Sequence, residues 1–383
     1  MFKFGTSNTS LGVDIGNSTI KIVQMKKGAN GPQLTGLAIE PVPENALVDG
    51  SISDPKIISD IIKNLRRANG LRTDNCVTAL AAQNAILRFV PFPVMPDPEL
   101  EIAVRNEAEH YVPYSLDEVH IDFSRLAQIE EEGMSRYLVL LVVAQKEYVG
   151  TLEGVFKDAG ISLDAVDVDT LAVLNALENS IKANMGARGG GGEGEGGEGM
   201  EGGGGGGADG KGEVLAVISI GARTTNVNIL KDGILRFTRP IPIAGNNITA
   251  VIQNVFKESF AEAERTKIEE GVLGMEGGEE GDQEFTEVVQ TTIEELAGEI
   301  RRSFDYFKAQ TREPLIHRVI LTGGSSKLKN LDMFLTNEFG IDVEMADPLA
   351  GIEVAVGNPE LLQEYLQDFT TAIGLALRGV TAG

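Results

Sequence analysis

The first chemistry the sequence offers is a carboxylate and an ammonium flanking a turn of small polar residues. Asp14 precedes Gly16, Asn17, Ser18 and Thr19, and Lys21 follows them, inside Leu11-Gly-Val-Asp-Ile-Gly-Asn-Ser-Thr-Ile-Lys21-Ile-Val-Gln-Met25. Apolar residues alternate on both sides, which predicts a β-hairpin. Its turn would offer N–H and hydroxyl donors to phosphate oxygens, Lys21 would add positive charge, and Asp14 could hold Mg²⁺ through water. A plain tight hairpin asks for the same turn residues, so the motif alone leaves both uses open.

Three further motifs bear on that choice. The pattern returns in the second half as Ala216-Val-Ile-Ser-Ile-Gly-Ala-Arg-Thr-Thr-Asn226-Val-Asn-Ile-Leu230, with Gly221, Thr224 and Thr225 in the turn and Ser219 and Asn226 where the first copy has Asp14 and Lys21. Two such turns facing each other would clamp the phosphates of a nucleotide. Next, Glu264 and Lys267 stand at i, i+3 on a helix face, where they could grip ribose hydroxyls, although on their own they read as a surface ion pair. Last, Ile320-Leu-Thr-Gly323-Gly324-Ser325-Ser-Lys327 joins a buried strand to two glycines and a helix start, a turn at which a ligand can approach the backbone closely.

The elements that must position these residues fall into two halves. Residues 186–212 hold 17 glycines in 27 positions, with Glu193, Glu195, Glu198, Glu201 and Asp209 among them. That composition builds no core and predicts a flexible acidic linker spanning on the order of 30 Å. It separates a first lobe, residues 1–185, from a second, residues 213–383, which carries an acidic Gly-rich insertion at about 269–284. In the first lobe a helix is expected over 54–69, with Asp54 as N-cap, Pro55 at its first position and Gly70 at its end. Strands are expected over 34–42 and 76–82. A strand (86–91), a helix (98–111), two strands (119–128 and 137–145) and a helix (146–158) then read as a small α/β unit inserted at about 86–162. The second lobe shows its hairpin, helices over 247–267 and 285–310, a strand over 318–322 and a closing helix over 359–378.

Composition narrows the function classes. The chain of 383 residues is 42% hydrophobic, enough for two or more cores, and its 57 acidic and 33 basic residues give a net charge of -24. That excludes a nucleic acid bound by counterion release. A single cysteine, Cys76, lies in an apolar run, and no signal peptide follows Met1, which favours a reducing cytoplasmic setting. The longest apolar run, residues 137–144, is far below the roughly 20 residues a membrane span needs, so no direct membrane insertion is expected.

Taken in order, the four motifs resemble the actin-like ATPase superfamily: phosphate-one hairpin, phosphate-two hairpin, Glu-x-x-Lys helix and adenosine Gly-Gly turn. The resemblance covers nearly the whole chain and implies an α/β, duplicated actin-like (ribonuclease H-like) fold of two lobes. Arg88-Phe-Val-Pro-Phe-Pro-Val-Met95, Glu107-Ala-Glu-His-Tyr-Val-Pro-Tyr114, Asp117-Glu-Val-His-Ile-Asp122 and Val142-Val-Ala144 look like the small subdomain of the PilM family, FtsA-like cytoplasmic components of type IV pilus assembly. Ile220-Gly-Ala-Arg-Thr-Thr-Asn226 and Ala372-Ile-Gly-Leu-Ala-Leu-Arg378 look like the same family.

The resemblance implies ATP or ADP with Mg²⁺ between the lobes. Asp14, Gly16, Asn17, Ser18, Thr19 and Lys21 would meet phosphates and metal, Asp14 through water, as would Gly221, Thr224 and Thr225. Glu264 and Lys267 would take the ribose, while Gly323, Gly324, Ser325 and Lys327 flank the base. Asp169, in a segment resembling the superfamily's connecting helix, is the catalytic candidate that would orient a water, with an N-cap as its plainer role. Ser219 replaces a carboxylate that many actin-like ATPases place on the second strand, so binding with weak or no hydrolysis is expected. Gly245-Asn246 likewise departs from the paired glycines usual after the second hairpin.

The resemblance also implies a scaffold whose nucleotide state biases the lobe arrangement. Its partner would be the N-terminal cytoplasmic peptide of a PilN-like inner-membrane protein, held beside the inserted unit at the inner face of the inner membrane. Self-association and contact with pilus motor components are further partners it implies. Two other readings stay open: a small-molecule kinase of the sugar kinase/actin superfamily, and an FtsA-like cell-division filament, the latter disfavoured by the absence of a basic amphipathic tail after Arg378.

Overall fold

A strand apolar on both faces must be covered on both, and each half of the chain opens with one. The computed structural model describes residues 8–43, 45–48, 50–73, 75–131, 133–189, 212–270, 280–311, 313 and 315–381. The first half begins with an antiparallel meander of β1 (Thr9–Ile15), β2 (Thr19–Gly28) and β3 (Gly31–Pro41), then a small hairpin of β4 (Leu47–Val48) and β5 (Ser51–Ile52). Helix α1 (Pro55–Ala68) starts at Asp54, whose carboxylate accepts the Ile57 amide at 3.0 Å, and ends at Asn69, with Gly70 left-handed just beyond. It buries Ile58, Ile62 and Leu65, and the chain returns as β6 (Asn75–Leu80), parallel to β1.

The inserted unit follows: β7 (Ala85–Pro93), α2 (Asp97–Tyr111), β8 (Val119–Glu131) and β9 (Met134–Gln145). Its sheet has the order β7-β9-β8 and its own core of Val90, Phe92, Leu100, Val104, Val139 and Leu141. Helix α3 (Lys146–Ala159), β10 (Ser162–Val168) and α4 (Asp169–Gly189) complete the half. The second half repeats the plan with β11 (Val214–Ile220), β12 (Thr225–Lys231), β13 (Ile234–Ile241), α5 (Gly245–Phe256), α6 (Phe260–Glu270), α7 (Glu280–Thr311), β14 (Arg318–Thr322), α8 (Leu331–Phe339) and β15 (Val343–Met345). A two-residue strand, β16 (Glu353–Val354), and helices α9 (Pro359–Tyr365) and α10 (Thr370–Thr381) close the chain. The sheets are β10-β6-β1-β2-β3, with β16 added beside β3, and β13-β12-β11-β14-β15. Both have an antiparallel meander on one side of the opening strand and two parallel strands on the other, so the duplication legible in the hairpins extends to whole sheets.

Each half sends its last helix to the other half's sheet. Val173, Leu177 and Ile181 of α4 pack with Leu215, Val217 and Ile320 of the second sheet. Ile373, Ala376 and Leu377 of α10 pack with Val23, Met25 and Leu34 of the first. Burying each of the Val, Leu, Ile and Met side chains among these is worth about 1.5–3 kcal/mol, so the exchange binds the halves into one molecule. The two helices touch where a Cβ on Gly374 would overlap the Ala172 carbonyl, and the Asn175 amide donates to Gly374 O at 2.6 Å. Arg378 also pairs with the buried Asp167 on the edge strand β10.

Several expectations need correction. The cores do not divide at 185 and 213, because α4 covers the second sheet while β16, α9 and α10 cover the first. The inserted unit does not extend to 162: α3 packs Leu152, Val155 and Phe156 against α1 in the first-lobe core. The helix expected over 247–267 is two, because Lys257 adopts φ 57° and a new N-terminus follows. There Ser259 Oγ accepts the Glu262 amide at 3.3 Å and Glu262 accepts the Ser259 amide at 2.9 Å, a capping box. The helix expected over 359–378 breaks between α9 and α10, where Leu366 and Phe369 turn inward. Of the linker, residues 186–189 continue α4 and 190–211 lie outside the described residues; of the 269–284 insertion, 269–270 end α6, 280–284 begin α7, and 271–279 lie outside. Among the described residues no helix is long and apolar enough to cross a membrane.

Candidate functional site

The two repeated turns close identically. Gly16 N–H donates to Thr19 O at 3.1 Å and Gly221 N–H to Thr224 O at 3.0 Å, so Asn17-Ser18 and Ala222-Arg223 form the tips. Both turns lie at the C-terminal ends of the strands from which the parallel half of each sheet departs, the place where open α/β sheets leave a crevice. The strand register sets Asp14 opposite Lys21 and Ser219 opposite Asn226. In the first hairpin this pairing is an ion pair at 3.0 Å, with 15% and 11% of the two side chains exposed.

Asp169, at the head of α4, lies between the hairpins. Its Oδ1 accepts the Thr170 amide at 2.5 Å and the Ala82 amide at 3.0 Å, and the Asn226 side chain also bonds to it. The residue keeps part of its surface open, yet protein crowds its carboxyl. Burial, and then the charge of Asp14, push its pKa up to about 7 against bonds that favour the charged form. A carboxylate held by groups from three elements is more than a helix cap. Behind it, Thr170 and Thr238 both donate to the buried Asn228 Oδ1 at 2.7 Å, fixing the start of α4 to the second sheet.

The remaining motifs meet around Gly221. Its carbonyl accepts the Gly245 amide at 3.1 Å and the Ser325 hydroxyl at 2.9 Å. Gly323, at φ 90°, brings the turn after β14 so close that a Cβ would overlap the Ile220 backbone. Lys267 is buried and donates to Glu264 at 2.6 Å and Thr249 at 3.0 Å; Glu264 also accepts the Thr249 hydroxyl at 2.5 Å and stays partly exposed. Burial pulls the Lys267 pKa down, and Glu264 partly offsets this.

The residues singled out in the sequence therefore gather unequally. Asp14, Gly16, Asn17, Ser18, Thr19, Lys21, Asp169, Gly221 and Thr224 frame one cleft, and Gly323, Gly324, Ser325, Glu264 and Lys267 adjoin it through Gly221 and Gly245. Two side chains are held by groups of the protein. The Thr225 hydroxyl is fully buried and donates to Ile243 O at 2.7 Å. Lys327 lies at the α9 end, pairing with Asp368 at 2.6 Å over the Tyr365 ring; Asp368 itself stands against Gly324, so the Lys327 charge is already paired beside that turn. Asn226, Thr249 and Gln83 were missed: the first two look like ordinary strand and helix residues, and Gln83 follows an unremarkable Ala-Ala pair.

The cleft also contains acceptors without donors. Asn17 Oδ1 and Asn226 Oδ1 are buried and, among the described residues, no group bonds to them, although each such atom costs about 1–3 kcal/mol. With Asp14 they set oxygens beside the turns, while the tip N–H groups and Lys21 supply donors. That mixture suits an anion carrying a hydrated cation.

Comparisons with known proteins bear on the fold and the family. The family model for type IV pilus assembly protein PilM matches residues 12–190 and 207–380. Among solved structures, a PilM-PilN type IV pilus biogenesis complex is similar with a TM-score of 0.78 and 29% identity, covering 98% of this chain and 99% of that one. MreB 5 of Spiroplasma citri bound to AMPPNP has a TM-score of 0.53 at 12% identity, covering 97% and 95%, which shows the actin-like fold. Cell division protein FtsA of Agrobacterium fabrum (strain C58 / ATCC 33970) is 26% identical over 185 residues, and that of Escherichia coli (strain K12) 25% over 185. The alignments span 42% of this chain and 39% and 42% of those relatives, about two fifths of their length.

Proposed function

This chain belongs to the family of the type IV pilus assembly protein PilM, and from that premise we propose that it is a nucleotide-binding scaffold of the pilus assembly platform. The observation that carries the nucleotide part is the pair of facing turns with unsatisfied acceptors between them. ATP or ADP with Mg²⁺ fits that set. Backbone donors at the turn tips, Asn17–Thr19 and Ala222–Thr224, with Lys21, would hold the phosphates, and Asp14 with Asn17 and Asn226 would accept from metal-bound water. Glu264 would take the ribose, Lys267 orienting it from behind, and Gly323–Ser325 would lie against the base. The metal would neutralise phosphate charge.

Turnover is slow in this reading. Asp14 is paired with Lys21, the second hairpin offers Ser219 and Asn226 in place of a carboxylate, and Asp169 alone would orient water. The nucleotide acts instead on the angle between lobes joined by α4 and α10.

The partner is the cytoplasmic N-terminal peptide of a PilN-like inner-membrane protein, which would hold the scaffold at the inner face of that membrane. Support comes from the PilM-PilN complex, similar over the whole chain, and from the inserted unit itself. A depression of about 500 Å³ between α2 and β8 is lined by Arg105, Asn106, Glu109, Leu116, Val119 and Ile121. Its lining is more polar than apolar, with Arg105, Asn106 and Glu109 beside Leu116, Val119 and Ile121, which suits a short peptide that pairs polar or charged groups with a small apolar anchor. Titration with Mg-ATP tests the nucleotide part. Micromolar binding with slow phosphate release is expected, and Lys21→Ala should weaken it about ten- to a hundredfold, the worth of a charge-assisted bond. Unchanged affinity in that variant contradicts the phosphate assignment.

A further inference from the structure

Between β6 and β7 the chain makes one 3₁₀ turn, Ala82–Asn84, and each of its residues is bonded to a different part of the molecule. The Ala82 amide donates to Asp169 at the head of α4 at 3.0 Å. Gln83 Oε1 accepts the Thr224 hydroxyl at 3.2 Å, reaching from the first lobe to the second hairpin. The Asn84 amide group donates to Gly50 O at 2.9 Å. Gly50 sits at φ 74° and a Cβ there would overlap the Gln83 amide, so the β4–β5 hairpin backs the Gln83 side chain.

The next residue is the first of β7. From this strand Phe89 packs on the cluster formed by α4 and the second sheet, and β9, paired with β7, carries the core of the inserted unit. A three-residue turn thus touches the connecting helix, the second phosphate hairpin and the inserted unit at once.

We infer that Gln83 is the positioning residue through which a ligand in the phosphate cleft acts on the inserted unit; this rests on the nucleotide reading above. A phosphate that draws in the Gly221–Thr224 turn moves the hydroxyl that Gln83 accepts. Gly50 behind it and the bonds of Ala82 and Asn84 leave the turn little freedom to yield, so the displacement passes into β7. Gln83 itself touches no ligand. Allostery of this kind is a coupling between two sites, read separately from the affinity of either.

Hydrogen exchange of the full chain, with and without Mg-ATP, separates the two. In the native protein, nucleotide should slow exchange in both hairpins and alter it in β7 and β9. In Gln83→Ala the hairpin response should persist while that of β7 and β9 is lost. Gln83→Glu keeps an acceptor for the Thr224 hydroxyl and should restore it. Peptide affinity should follow: roughly fivefold or greater dependence on nucleotide in native protein and in Gln83→Glu, none in Gln83→Ala. A full response of the inserted unit in Gln83→Ala overturns the inference, as does its absence in native protein whose hairpins respond. Hairpins that ignore nucleotide overturn the nucleotide reading first, and the inference with it.

Discussion

At the scale of single residues, the cleft departs from a symmetric clamp. The first hairpin brings a carboxylate and an ammonium, the second a hydroxyl and an amide, and Asp169 stands between them with its pKa raised to about 7. The folded protein therefore keeps this proton across a range in which the unfolded chain, near the ordinary 3.8, has released it. Its contribution to stability is complete below about pH 4 and is lost as pH rises through about 7. Asp169→Asn, neutral at every pH, should gain on the native protein across that window by about 1–3 kcal/mol, measured by urea unfolding of nucleotide-free protein at several pH values. A constant difference from pH 4 to pH 8 would contradict the assigned cause. Asp14, Lys21 and the turn residues were legible because strand register and turn chemistry are local. That protein groups already hold Thr225 and Lys327 was not, since the carbonyl and carboxylate concerned come from distant segments.

Elements were legible in kind and less so at their junctions. The buried strands, the hairpins and the Asp54-capped helix follow from periodicity and caps. The break after Lys257 had a local signal, Ser259-Phe-Ala-Glu262, that apolar periodicity overrode. Ser259→Ala should cost about 1 kcal/mol, and because α6 carries Glu264 and Lys267 it should also weaken nucleotide binding. The exchange of α4 and α10 between sheets has no local signal, because their small residues show only that something passes close. Here two glycines should behave oppositely. Gly374→Val forces α10 off the Ala172 carbonyl and should destabilise by about 1–3 kcal/mol or more, whereas Gly150→Ala, in α3 with open space around it, should stabilise by about 0.5–1 kcal/mol. Denaturant midpoints of the two variants check both, and equal effects would contradict the packing described.

For the whole molecule, duplication was legible from two hairpins and proves to be the plan of both sheets. What the sequence hid is that neither half covers both faces of its own sheet. Each borrows a helix, so a ligand gripping both hairpins acts on a joint made of α4 and α10 and lined by Gly374 and Ala172. The inserted unit keeps a separate core and reaches the cleft through the Ala82–Asn84 turn, an arrangement suited to reporting occupancy to a partner. The central claim is that this chain holds the cytoplasmic N-terminal peptide of a PilN-like protein on that unit. Calorimetric titration of the synthetic peptide into the full chain, beside an Ile121→Asp variant, tests it most directly: the account predicts one peptide bound per chain and at least tenfold weaker binding to the variant, and an absence of binding heat at any temperature, or equal affinity for the variant, would contradict it.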